Sequence, residues 1–185
     1  MHNYLLIIEI LGLVTGISYV ILMIKENRLS WPVGILAVIL YAYSCYESKI
    51  YGEMSLQFIY VIISIYGWYN WTKNRTQNFT VSNMKFNDIA FAILVSILVS
   101  VVFYFPLNYF KSSIPVVDAL TNGFAIVATY LAAKKKVENW IFWIPIDITI
   151  AGMMLYKDMH FYFILYLCYT AFAIFGYIQW KKQLQ

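Results

Sequence analysis

Seven long apolar runs separated by short polar connections fill nearly the whole of this 185-residue chain, at about 4–24, 31–47, 54–71, 87–106, 116–133, 140–156 and 162–180. Each has roughly the 17 to 22 residues that a helix rising about 1.5 Å per residue needs to cross a hydrocarbon layer about 30 Å thick. In lipid a backbone must satisfy its own N–H and C=O groups, and continuous runs of this length do so as helices. Only 12% of the residues are charged against 62% hydrophobic, and the mean hydropathy is +0.68, a balance that excludes a soluble domain. The expected fold class is an all-α integral membrane protein with seven transmembrane helices. The first run lacks a preceding basic segment and is followed by Lys25 and Arg28, so it reads as a retained helix rather than a cleaved signal.

Charge then orients the helices, because cytoplasmic loops carry the excess of Lys and Arg. If the seven alternate, ten of the thirteen basic residues fall on one side: Lys25, Arg28, Lys73, Arg75, Lys85, Lys134, Lys135, Lys136, Lys181 and Lys182. The other side keeps Lys49, Lys111 and Lys157. The N-terminus is therefore expected outside and the C-terminus in the cytoplasm, with the longest polar stretch (72–88) a cytoplasmic loop. The net charge of +4 is a consequence of that topology and calls for no nucleic-acid partner. Cys45 and Cys168 lie in apolar runs with no CxxC or His-rich neighbourhood, so neither a disulfide framework nor a metal or other cofactor site is expected.

The chain also repeats. An offset of 109 residues aligns Glu9–Trp71 with Asp118–Trp180 without a gap, matching Lys25 to Lys134, Trp31 to Trp140, Tyr60 to Tyr169, Gly67 to Gly176 and Trp71 to Trp180. Ungapped register through three helices and two loops predicts two three-helix repeats, 1–73 and 111–185, joined by a loop and linker helix over 74–110. An odd number of helices per repeat plus one linker makes the copies parallel, a 3+1+3 arrangement found among transporters such as the SWEET carriers, whose substrate sites lie near the bilayer midplane.

Polar groups at membrane depth are costly and point to a protein interior or a wet cavity. Trp140, Trp143 and Asp147 share one face of the sixth helix at i, i+3 and i+7, with Asp147 about 10 Å beyond Trp140. Asp118, Thr121 and Asn122 form a second polar face on the fifth helix. Gln57, Tyr60, Ser64 and Trp68 form a stripe on the third, and Tyr166 and Tyr169 occupy matching positions on the seventh. Trp31, Trp71 and Trp180, near helix ends, read as interfacial belt residues; Gly12, Gly16, Gly67 and Gly176 read as close-packing points. A site with carboxylates, amides and aromatic faces but no internal cation suits a flat, hydroxylated, neutral or cationic ligand. An anionic substrate would lack a counter-charge.

The segments "WPVG" (31–34), "YGWYNW" (66–71) with Gln57, "VDA" (117–119), "KKKVENWIFWIPID" (134–147) and "LYLCYTAFAIFGYIQW" (165–180) together resemble the bacterial PnuC-type vitamin transporters over nearly the whole chain. The resemblance implies a multi-pass transporter of the bacterial inner membrane that is not an enzyme, assembles as a homotrimer and moves nicotinamide riboside by facilitated diffusion. A cytosolic vitamin kinase traps the substrate; relatives carry thiamine, riboflavin or nucleosides. It places the substrate against Trp140, Trp143 and Gln57, with Tyr, Asp and Asn groups around it. Thiamine, also a flat cation, is the alternative substrate. A non-transporting seven-helix receptor or structural membrane protein is the reading from a different class. A retinal pigment is disfavoured, since Lys181 and Lys182 lie beyond the expected end of the seventh run at 180, and so is an intramembrane enzyme, since His2 and His160 sit near helix ends.

Overall fold

The computed structural model describes residues 3–47, 51–73, 79–110, 114–156 and 158–184. Lys49, Arg75, Lys111 and Lys157, counted above for orientation, and His2 lie outside them. The seven apolar runs form seven helices: α1 (Asn3–Ile24), α2 (Ser30–Glu47), α3 (Tyr51–Lys73), α4 (Phe86–Tyr109), α5 (Pro115–Ala133), α6 (Glu138–Tyr156) and α7 (His160–Lys182). Five of them, all but α2 and α3, are long and apolar enough to cross a membrane on length and composition alone. The tyrosines and the end carboxylate, Glu47, of α2, and the Gln57, Tyr60 and Ser64 stripe of α3, lower the hydropathy of those two. Large apolar side chains lie exposed along the helices, Phe91, Leu94, Leu98, Val102 and Phe105 on α4 among them, as lipid-facing surfaces do.

By contact the chain divides into two units, Met1–Phe79 and Thr80–Gln185. In the first, α2 packs against both α1 and α3. Residue spacing explains the tightness: a Cβ at Gly34 would lie 2.8 Å from the Tyr19 ring, and one at Gly67 would lie 2.5 Å from the Trp31 indole. Only hydrogen at these points lets the rings lie flat on the neighbouring backbone.

In the second unit α5 packs against α4 and α6, and α6 against α7. The α4–α5 crossing is built from small residues. Ala92, Ser96 and Ser100 of α4 are buried, and a Cβ at Gly123 would collide with the Ser100 side chain and the Ser96 carbonyl. The two serines are tolerable there because each hydroxyl donates to the carbonyl four residues back, Ser96 to Ala92 at 2.8 Å and Ser100 to Ser96 at 2.7 Å. Asp88 in the first turn of α4 accepts the Lys85 N–H at 3.3 Å, a placement the helix dipole favours.

The 109-residue repeat reaches the backbone. α1 and α5 end at Ile24 and Ala133, and α3 and α7 span equivalent positions at both ends. After α1, Glu26 adopts φ 51°; after α5 its counterpart Lys135 adopts φ 53°. The same hydrogen bonds close both turns. Asn27 N–H donates to Leu22 C=O at 2.9 Å and Lys136 N–H to Leu131 C=O at 2.9 Å; Trp31 N–H donates to Arg28 C=O and Trp140 N–H to Val137 C=O, each at 3.2 Å. Both are left-handed helix stops in which orphan carbonyls of the last turn find a donor.

Candidate functional site

Trp31, Trp71 and Trp180, expected as exposed belt residues, are buried in the protein, and so is Trp140. Trp31 and Trp180 are fully buried, Trp71 is 5% exposed and Trp140 3%. Within the first unit Trp31 meets Trp71 edge-to-face at 5.5 Å and 87°; within the second, Trp140 meets Trp180 at the same distance and angle. Gly67 and Gly176 lie under Trp31 and Trp140. A glycine one turn before each C-terminal tryptophan makes the slot that takes the indole from the preceding helix, so packing wins over an interfacial position. The indole N–H groups of Trp31 and Trp140 are buried and have no hydrogen-bond partner among the described residues.

Beyond this shared clamp the units diverge. In the first, Gln57 of α3 is 7% exposed and Ser64 4%, Tyr60 is half-buried, and Trp68, a turn further along, is 36% exposed. The Tyr19 ring of α1 lies against Gly34 of α2. The aligned positions in the second unit carry Ala128 and Trp143. The large ring has moved from the first helix of the repeat to the second, and Trp143 is half-buried there.

The second unit holds the other candidates. Asp118 is 8% exposed on α5, and Thr121 is satisfied by donating to the Val117 and Asp118 carbonyls, each at 3.0 Å. Asn122 is half-buried on the same helix. Asp147 is 5% exposed, two residues beyond Pro145 inside α6. Across on α7, Tyr169 lies within electrostatic reach of Asp147 and stacks edge-to-face on Tyr166 at 5.8 Å. Neither α5 nor α6 contains a Lys or Arg, and those of α7 are confined to its last turn. The structure thus joins Asp147, Tyr166 and Tyr169 in an acidic, aromatic neighbourhood and assigns Trp140 to the packed clamp. Tyr19 belongs to the first-helix face that the repeat aligns with the Asp118 face, and the structure adds its partner: the ring lies on Gly34, which stands where the second repeat has Trp143.

A carboxylate removed from water, within electrostatic reach of a tyrosine and without a basic side chain in the helix interiors, favours a cationic or hydrogen-bond-donating ligand over an anion. Tyrosine hydroxyls add donors and acceptors suited to sugar hydroxyls.

Comparison with known proteins places these features in a family. The family described as nicotinamide mononucleotide transporter matches residues 6–182. The chain is 27% identical to the nicotinamide riboside transporter PnuC of Neisseria mucosa, over 91% of this chain and 70% of that protein. It is 23% identical to the PnuC protein of Escherichia coli, over 94% and 84%. It is also 22% identical to the riboflavin/roseoflavin transporter RibM of Streptomyces davaonensis, over 93% and 83%. Its fold superposes on the crystal structure of the vitamin B3 transporter PnuC with a TM-score of 0.76 and 25% identity, covering 94% of this chain and 80% of that one.

Proposed function

Because this chain belongs to the nicotinamide mononucleotide transporter family, a family of multi-pass membrane transporters rather than enzymes, we propose that it imports nicotinamide riboside across the bacterial inner membrane. The observation that carries the choice of substrate is the buried Asp147, within electrostatic reach of Tyr169, in helices whose interiors hold no basic side chain. Nicotinamide riboside is a flat pyridinium cation with ribose hydroxyls. The mononucleotide adds a phosphate, whose charges this neighbourhood repels. Riboflavin is uncharged at its ring system and gains less from the carboxylate.

In this reading Asp147 faces the pyridinium charge and Trp143 supplies a stacking face, worth about 0.5–2 kcal/mol for a cation on an aromatic ring. Gln57, Tyr60 and Trp68, and separately Asp118, Asn122, Tyr166 and Tyr169, are further candidate contacts for the substrate, while Trp140 holds α6 through its clamp with Trp180. Two parallel three-helix repeats alternate access without direct energy coupling, and a cytosolic kinase that phosphorylates the vitamin makes the flux one-way. The transporter works as a homotrimer, N-terminus outside.

Binding of nicotinamide riboside, nicotinamide mononucleotide, thiamine and riboflavin to the purified protein tests this. Nicotinamide riboside should bind at least tenfold more tightly than the mononucleotide, and Trp143→Ala and Asp147→Asn should each weaken it by about tenfold or more. Tighter binding of thiamine would reassign the substrate, since it too is a flat cation. Wild-type affinity retained in both variants would refute the site.

A further inference from the structure

We propose that Glu138 is a positioning residue for α6, acting through a strap that residues 81–84 lay across the turn between α5 and α6; its effect on transport rests on the reading that α6 carries substrate-binding groups. Ser82 makes an isolated parallel bridge with Lys136: its N–H donates to the Lys135 carbonyl at 3.0 Å, and its own carbonyl accepts the Val137 N–H at 3.1 Å. The Lys136 ammonium donates to the Ser82 hydroxyl at 2.9 Å and to the Asn83 carbonyl at 3.4 Å. Two residues on, the Met84 N–H donates to Glu138 Oε1 at 2.8 Å. Glu138 is the first residue of α6 and is 8% exposed, between the buried Val137 and Asn139. Its other oxygen, Oε2, is buried with no hydrogen-bond partner among the described residues. The Met84 bond therefore fixes this carboxylate, and through it the first turn of α6, to a segment outside the repeat.

Comparison of the repeats shows that this feature is not a requirement of the turn itself. The turn after α1 has the same left-handed residue and the same internal bonds. Where the second repeat has Glu138, however, the first has Leu29, 50% exposed, with its N–H bonded locally to Asn27 Oδ1 at 2.9 Å. Among the described residues the Ser82–Lys136 bridge has no counterpart there. The strapped helix is the one that carries Trp143 and Asp147; the unstrapped one has Gly34 and Val38 in their places. A charge-assisted hydrogen bond at the first residue, two and five positions before the tryptophans, holds the helix against rotation, and binding groups need to be held within about 0.5 Å of their productive geometry.

The test compares the wild type with Glu138→Ala, Glu138→Gln and Ser82→Pro in the full-length protein. Amide exchange over residues 139–147 is read without ligand, nicotinamide riboside affinity by titration, and folding by the thermal transition. Glu138→Ala and Ser82→Pro should speed exchange in that window and weaken binding about tenfold. Glu138→Gln, which keeps an oxygen acceptor for the Met84 N–H, should restore both. The proposal is overturned if Glu138→Ala exchanges and binds as the wild type does, if exchange rises while affinity is unchanged, or if Glu138→Gln behaves like the alanine variant. A wild type that binds none of the vitamins would sink the transport reading alone, and the exchange arm would still decide whether Glu138 holds α6.

Discussion

At the scale of single residues, two glycines decide whether the tryptophan clamps can close. A methyl at Gly176 would stand 2.7 Å from the Trp140 indole, and one at Gly67 would stand 2.5 Å from Trp31. Neither ring can withdraw, since each is buried and held edge-on by a second tryptophan. Overpacking of this kind costs about 1–3 kcal/mol, so Gly176→Ala and Gly67→Ala should each lower the thermal transition in detergent by several degrees. Gly152 of α6 has nothing within 4 Å of its added Cβ, and Gly152→Ala should leave the transition unchanged or raise it, because alanine is the better helix former by roughly 0.5–1 kcal/mol. A fall at all three positions would mean that helix propensity and crowding have been wrongly separated. The same residues show what spacing can and cannot reveal. That Gly67 and Gly176 mark close approach was legible in the sequence, as was the buried aspartate of α6. That Trp140 belongs to a packed clamp was not, because a W-x-x-W face looks the same whether its first ring meets a ligand or a glycine on the next helix.

Elements were the most legible level, since helix length in lipid is set by thickness and the runs ended where polar turns began. α2 and α3 fall short of a spanning helix on hydropathy; the length of their apolar runs marked them all the same, and the repeat pairs them with α6 and α7. The strap at Ser82 was invisible, being made mostly by backbone groups in a stretch that reads as ordinary polar loop. The turns after α1 and α5 yield a prediction of their own. Glu26 and Lys135 occupy the left-handed region at φ 51° and 53°, where a Cβ costs roughly 1–2 kcal/mol and glycine's extra chain entropy returns part of it. Glu26→Gly and Lys135→Gly should therefore raise stability by up to about 1 kcal/mol each. The two gains should be similar, because the turns share their hydrogen bonds. Thermal melts of the two variants check this, and a loss in either would show that the side chain contributes more than the strain it causes.

For the whole molecule the decisive asymmetry is electrostatic. Ten of thirteen basic side chains fall on one predicted side, which the positive-inside rule assigns to the cytoplasm. On that assignment the C-terminal end of α7 faces the compartment in which a trapping kinase would work. Single cysteines read this directly. The native thiols differ, Cys45 being buried and Cys168 exposed, so the background should carry Cys168→Ala. In intact cells stripped of outer barriers, an impermeant maleimide should label Asp158→Cys at once. Gln183→Cys should label only after permeabilisation. Both positions are exposed in the structure, so silence at either reports sidedness and not burial. The reverse pattern would invert the topology and turn the strap at Ser82 toward the outside. Labelling of both cysteines from one face would break the alternation of seven spans on which the orientation and the parallel repeat both rest.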